Sequence, residues 1–308
     1  MRDTIQVISG ILSTMVSLAM PFLYAAIGEV FTQASGVFNL GVDGIMLISA
    51  FTAFYVTLGS GSLWLGLLAA AAVGLLMGLL MSFVSVTLKA EQGVSGIGLY
   101  MLGLGLSSLL FKVLIGTVKT VQGFAPLPIP YLSDIPFLGP ILFRSNILVY
   151  GAFLLVPLAW FVLDKTTLGL KIRSVGQNPA AADSLGIGVN RIRYLSVCIG
   201  AVLAGIAGAS LSIAELNLFQ DDLTAGQGFI AVALVYFGGW SPWGVLAGAL
   251  LFSIVNSFQL WMQVLGVRVP SGIAVMLPYV LTIVALTVTV NRARQPAALN
   301  KPFERGES

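Results

Sequence analysis

The stretch GIMLISAFTAFYVTLGSGSLWLGLLAAAAVGLLMGLLMSFVSVTL, residues 44–88, contains no Asp, Glu, Lys or Arg. An apolar helix of about 20 residues crosses the hydrocarbon core of a bilayer. The run is therefore long enough for two crossings, read as 44–60 and 63–88. Working outward, further apolar windows at 4–28, 95–118, 145–163, 194–214, 223–240, 243–264 and 270–290 bring the expectation to about nine spans, within eight to ten. The fold class is all-α, a polytopic integral membrane protein. Residues 1–290 are expected as one transmembrane domain, with a polar loop at 164–193 and a tail at 291–308. The whole chain agrees: of 308 residues 57% are hydrophobic and 9% charged, against roughly a quarter charged in a soluble domain. No cleavable leader is expected, since the first apolar stretch is too long for one.

The same composition removes whole classes of function. With no histidine in the chain, His-based acid–base catalysis, Ser-His-Asp triads and His-ligated metal sites are excluded. Cys198 is the single cysteine; it forms no intrachain disulfide and reads as a small apolar residue in a helix. No G-x-x-x-x-G-K-[ST] sequence occurs, so the chain holds no P-loop for ATP phosphates. The net charge of +3 is too small to suggest nucleic acid. Without catalytic or metal constellations, a transporter is expected rather than an enzyme.

Basic residues give the orientation. Lys165, Lys171, Arg173, Arg191 and Arg193 in the loop, and Arg292, Arg294, Lys301 and Arg305 in the tail, should both be cytoplasmic by the positive-inside rule. Counting spans puts Lys89 and Glu91 inside as well. It puts Glu215, Asp221, Asp222, the proline-rich segment 119–144 and the N-terminus outside. Ser62-Leu63-Trp64, followed by Ser95-Gly96-Ile97, is matched by Ser241-Pro242-Trp243, followed by Ser271-Gly272-Ile273, at nearly the same spacing. With the two tryptophans on opposite sides, this is the pattern of an inverted repeat. Gly66, Ala70, Gly74, Gly78 and Ser82 form a stripe of small residues, as do Gly200, Ala204, Gly208 and Ser212. Such stripes let helix backbones approach closely, chiefly within one subunit.

Three polar constellations stand out. Glu29 and Ser35-Gly36-Val37-Phe38-Asn39-Leu40-Gly41-Val42-Asp43-Gly44 read as a broken or re-entrant segment, because irregular backbone at membrane depth survives only under protein cover or beside water. Glu29 and Asp43 should be paired, protonated or wet; alternatively Asn39 and Asp43 cap a helix. In the loop, Asn178 followed by Pro179 and an alanine run is a helix start, stopped at Gly186, giving a short helix of the kind a partner's groove grips. Gln92, Ser95, Tyr100, Asn217, Gln227, Asn256 and Gln259 are uncharged polar groups in or near spans. Together with Glu29, Asn39 and Asp43 they are the candidates for a solute path, against interhelical hydrogen bonding. Trp64, Trp160, Trp240, Trp243 and Trp261 fall near span ends, where aromatic anchoring in the interface is the ordinary role.

Ser35 to Met46, Gly169 to Ile187 and Gly238-Gly239-Trp240-Ser241-Pro242-Trp243-Gly244 resemble the membrane permeases of bacterial ABC importers of the branched-chain amino acid and ribose superfamily. The wording is closest to the nucleoside permeases that pair with basic-membrane-protein-type lipoproteins. The resemblance implies that Gly176, Gln177, Asn178, Pro179, Ala181, Ala182, Asp183, Gly186 and Ile187 form the coupling loop that docks into an ATPase. Many relatives carry an acid just before the Asn-Pro pair, where this chain has Gln177. It further implies a separate ABC ATPase that binds ATP and Mg, so that this chain needs no cofactor of its own. It also implies a homologous second permease subunit, an extracytoplasmic solute-binding protein and a location in the bacterial inner membrane. A secondary transporter or channel working without an ATPase is the alternative, as is the same permease role for a sugar or a riboflavin-like solute.

Overall fold

A backbone polar group left unpaired in hydrocarbon is costly, and a helix satisfies its own N–H and C=O groups internally. In the computed structural model, residues 2–133, 135, 138–264, 276, 280 and 295–304 are described, and the described residues form helices and no strand. In order these are α1 (Arg2–Ala34), α2 (Val42–Ser60), α3 (Leu63–Ser82), α4 (Gln92–Leu114), α5 (Leu138–Leu142) and α6 (Ile147–Lys165). They are followed by α7 (Thr167–Gln177), α8 (Pro179–Ser184), α9 (Val189–Ser210), α10 (Gln227–Phe237) and α11 (Pro242–Val264). A π-helical turn extends α3 over Phe83–Thr87 and α9 over Leu211–Glu215.

Among the described residues, seven helices are long and apolar enough to cross a membrane: α1, α2, α3, α4, α6, α9 and α11. The window 223–240 differs from its reading as a span. It yields α10, 11 residues long and about 16 Å in rise, roughly half a bilayer. Its apolar run is interrupted because the backbone turns through positive φ at Asp222, Ala225 and Gly226 before the helix and at Gly239 and Trp240 after it. The expected span 270–290, with Ser271-Gly272-Ile273, and Arg292, Arg294 and Arg305 lie outside the described residues.

α9 lies at the centre, packed against α1, α2 and α3. The small-residue stripes are what allow this. Gly74 of α3 sits on the Ala201 carbonyl of α9, and Gly208 of α9 on the Met46 carbonyl of α2, so a Cβ at either would enter the neighbouring backbone. Trp240 and Trp261 turn inward rather than to an interface. The Trp240 indole N–H donates to the Gln33 side-chain carbonyl at 3.0 Å and that of Trp261 to the Thr14 hydroxyl at 3.2 Å. Trp64 and Trp243 remain exposed, each at the second residue of its helix.

The two ends of the bundle differ in chemistry. Lys89, Glu91, α7, α8 and the first turn of α9 share one end with residues 296–304, which fold back across it. The Ala298 N–H donates to the Gly176 carbonyl at 2.9 Å, the Asn300 N–H to Gly36 O at 3.2 Å, and Lys89 pairs with Glu304 at 2.7 Å. Arg193, read above as a loop charge, is only 1% exposed and donates to the Lys301 carbonyl at 3.0 Å. The proline-rich and acidic connections meet at the other end, where the Val121 N–H donates to the Asn217 carbonyl at 2.9 Å.

Candidate functional site

Between α1 and α2 the chain leaves the helical path at Ser35–Leu40 and resumes it at Val42. The break is largely covered by protein, with Ser35, Gly36, Val37, Asn39 and Gly41 buried and Phe38 and Leu40 half-buried. It is a non-helical connection between two helices of opposite sense: α1 arrives at the basic end, where Gly36 accepts from the Asn300 N–H, and α2 leads away from it toward Phe219. Its irregular backbone is satisfied locally. The Asn39 side-chain carbonyl accepts from the Gly41 N–H at 2.9 Å, and that of Gln92 on α4 accepts from the Phe38 N–H at 2.7 Å. Gly103 and Gly44 touch backbone to backbone, which brings α4 down onto the start of α2. That contact lies roughly 16 Å along α4 from Gln92 at 1.5 Å per residue, near the middle of the span.

Asp43 follows immediately, 0% exposed. Its carboxylate does not cap α2. It accepts from the Gly228 N–H at 2.7 Å and from the Thr224 hydroxyl at 2.9 Å. Gly228 is the second residue of α10, so Asp43 supplies an N-cap to a helix 185 residues away, satisfying an otherwise orphaned donor. The first turns of α2 and α10 thus meet at one carboxylate, where both positive dipole ends favour negative charge. From that point the helices run in opposite senses: α2 toward Thr57 and Gly66, α10 back beside the break to Gln33 of α1. Glu29, 1% exposed, also has no basic partner among the described residues; the side chains of Gln33, at 3.3 Å, and Asn39 donate to it.

The second feature is the displayed turn at the basic end. The Asn178 side-chain carbonyl accepts from the Ala181 N–H at 3.0 Å, Pro179 occupies the first helical position, and Gly186 at φ 81° ends the turn. Ala182 faces inward against Val175, Val189 and Phe303, while Ala180, Ala181, Ser184 and Leu185 face outward, Leu185 being 82% exposed. Gly176 of α7 is pressed on the Ala34 carbonyl at the end of α1, immediately before the break. Gln177 does not replace a salt bridge with another; its side-chain carbonyl accepts from the Ala297 N–H at 3.4 Å.

The family model for the branched-chain amino acid transport system permease component matches residues 11–286. The chain belongs to this family. A guanosine ABC transporter permease of Bacillus subtilis is 38% identical to it, over 99% of both chains. A nucleoside ABC transporter permease of Lactococcus lactis is 36% identical over 96% of both. A putative glucose ABC transporter permease of Haloferax volcanii is 40% identical over 84% of this chain and 79% of the relative. No solved structure matches. The chain is a transporter subunit and not itself an enzyme.

The permease brings together some of the polar residues singled out from sequence and disperses others. Glu29, Asn39, Asp43, Gln92, Tyr100 and Gln227 gather around the break and the start of α10. Ser95 donates back to the Glu91 carbonyl at 2.6 Å in the first turn of α4. Asn217 lies in the connection at the opposite end against Gly123. Asn256 and Gln259 are half-buried on α11, on the stretch whose Ser257 and Trp261 bond to α1. Sequence reasoning missed Thr224 and Gly228, the partners of Asp43. Thr224 was one hydroxyl among many, and Gly228 acts through its backbone, which leaves no side-chain signal. It also missed Phe229 and Tyr236, which line the same region beside Phe38 of the break.

Proposed function

We propose that this permease carries a nucleoside inward by alternating access, driven by a separate ATPase that docks on α8. The observation that carries the reading is the near full-length likeness to guanosine and nucleoside permeases. The displayed turn at Asn178 supports the coupling role, since it is capped, presents Ala180, Ala181 and Leu185 outward beside Ser184, and follows Gly176, which contacts the end of α1. ATP-driven closure of the ATPase pushes α7 and α8. The push arrives at the break, and α2 and α10, joined at Asp43, move against α1 and α4. A solute-loaded binding protein docks at the end formed by 119–144 and 217–226. The basic end then faces the cytoplasm, in keeping with the positive-inside rule, and α1 starts on the other side. A homologous second permease completes the membrane unit, and ATP and Mg are bound by the ATPase alone.

The test is transport by the importer reconstituted in proteoliposomes. Guanosine uptake that needs ATP, the binding protein and an intact Asn178-Pro179 pair is expected. Unchanged uptake and ATP hydrolysis after Asn178→Ala with Pro179→Ala would remove the coupling role. A sugar is the second reading, favoured by the Haloferax relative; glucose competing where guanosine does not would decide for it.

A further inference from the structure

α10 presents a half-exposed face made of Phe229, Ala233, Tyr236 and Phe237, at the i, i+4, i+7, i+8 spacing of a single helix side, with half-buried Trp240 in the turn beyond it. Across from it stand Tyr100 of α4 and Phe38 of the break. Ring centroids lie 5.0 Å apart for Tyr100 and Phe229, 6.4 Å for Phe38 and Tyr236, and 4.8 Å for Tyr236 and Trp240. α4 and α10 both pack on α2, and the start of α2 with Phe38 floors the cleft between them. Two buried carboxamide atoms at its ends have no partner among the described residues: Gln227 Oε1 in the first turn of α10 and Gln92 Nε2 beside Phe38. Gln92 is itself 1% exposed. One is an acceptor and the other a donor. An aliphatic lining would suffice for a span packed against lipid or against another helix, whereas flat rings with free amide groups match a flat polar ring.

We propose that this cleft is the wall along which the solute moves, and that it takes a planar heteroaromatic base. The base slides edge to face or face to face over Phe229 and Tyr236, and its amide-like edge exchanges hydrogen bonds with Gln227 and Gln92 in turn. Aromatic faces stack any base without reading its identity, which suits transit better than capture. The proposal rests on the nucleoside reading above and adds the residues that meet the base.

The experiment uses the assembled importer in proteoliposomes with guanosine, glucose and the photoreactive analogue 8-azidoguanosine. Phe229→Leu keeps bulk and removes the ring; it should lower guanosine uptake roughly tenfold, the order expected for one lost base–aromatic stack, while Phe229→Tyr, which retains a ring, should lose less than Phe229→Leu. Photolabelling of the wild type should attach within residues 227–240 or at Tyr100, and excess guanosine should suppress it where glucose does not. Guanosine uptake equal to wild type in Phe229→Leu, or a label falling wholly elsewhere, overturns this inference and leaves the nucleoside reading standing. A wild-type importer that carries glucose and not guanosine overturns both. If Phe229→Leu does not assemble, the wild-type photolabel alone decides.

Discussion

Replacing Asp43 tests the junction of α2 and α10 directly. Asp43→Ala removes both acceptors and leaves the Gly228 N–H and the Thr224 hydroxyl, paired at 2.7 and 2.9 Å, buried with nothing to bond. Each orphaned group costs about 1–3 kcal/mol, so about 4 kcal/mol is expected for the pair. Asp43→Asn keeps one carbonyl oxygen for Gly228, and the Thr224 hydroxyl can turn to accept from the new amide. Its cost should be about 1 kcal/mol, the size of one ordinary hydrogen bond. At about 2.1 cal/mol/K of unfolding entropy per residue, 1 kcal/mol moves the melting temperature of these 308 residues by roughly 1.5 °C. Thermal unfolding of the purified permease in detergent should therefore show a drop of about 6 °C for Asp43→Ala and about 1.5 °C for Asp43→Asn. Combining Asp43→Ala with Thr224→Val should cost less than the sum of the two, because both act on one bond. Equal melting temperatures for wild type and Asp43→Ala, or strict additivity in that cycle, would refute the reasoning.

Asn178→Ala should cost about 1 kcal/mol as a lost N-cap, read as faster hydrogen exchange at Ala181 and as weaker ATPase binding in co-purification. Gly208→Leu would drive a side chain into the Met46 carbonyl; little folded permease should be recovered by size-exclusion chromatography, while Gly59→Ala, with open space around it, should be recovered as wild type. At the basic end, the backbone N–H groups of Val94 and Gly93 hold the Glu91 carboxyl below its ordinary pKa. A carboxyl lowered in the folded state stabilises above its unfolded pKa and stops doing so as pH falls through the folded one. Exchange protection at Gly93 and Val94 should thus persist at neutral pH and disappear only on acidification past the ordinary carboxylate range. Glu91→Gln should abolish that pH dependence. Arg193→Ala removes the donor to Lys301, and limited proteolysis should then cut residues 296–304 faster than in wild type.

Much of the fold could be read because membrane helices are long, apolar and bounded by local signals. α2, α3, α6 and α11 begin and end within a few residues of their windows, and Asn178-Pro179 announced its own cap. What escaped were features whose cause lies far along the chain or in the backbone. The window 223–240 is uniformly apolar, so hydropathy alone extended it to a span; the turns at Ala225, Gly226 and Gly239 that cut it short carry little hydropathy signal. Arg193 counted as a surface charge because its partner, Lys301 O, is 108 residues distant and invisible to local composition. The break was legible from Asn39, Gly41 and Asp43. The role of Asp43 was not, because a carboxylate placed one residue into α2 looks like that helix's own cap until α10 is seen above it.

The bond between Asp43 and Gly228 also bears on how the protein is made. α10 is too short to lodge across a bilayer by itself, and its first N–H groups meet a carboxylate synthesised 185 residues earlier. Its insertion therefore has to follow that of α2. Such long-range pairings form late and slowly in folding. Damage to the first quarter of the chain should consequently appear as a misplaced α10, so that a topology defect surfaces far downstream of the mutation that causes it.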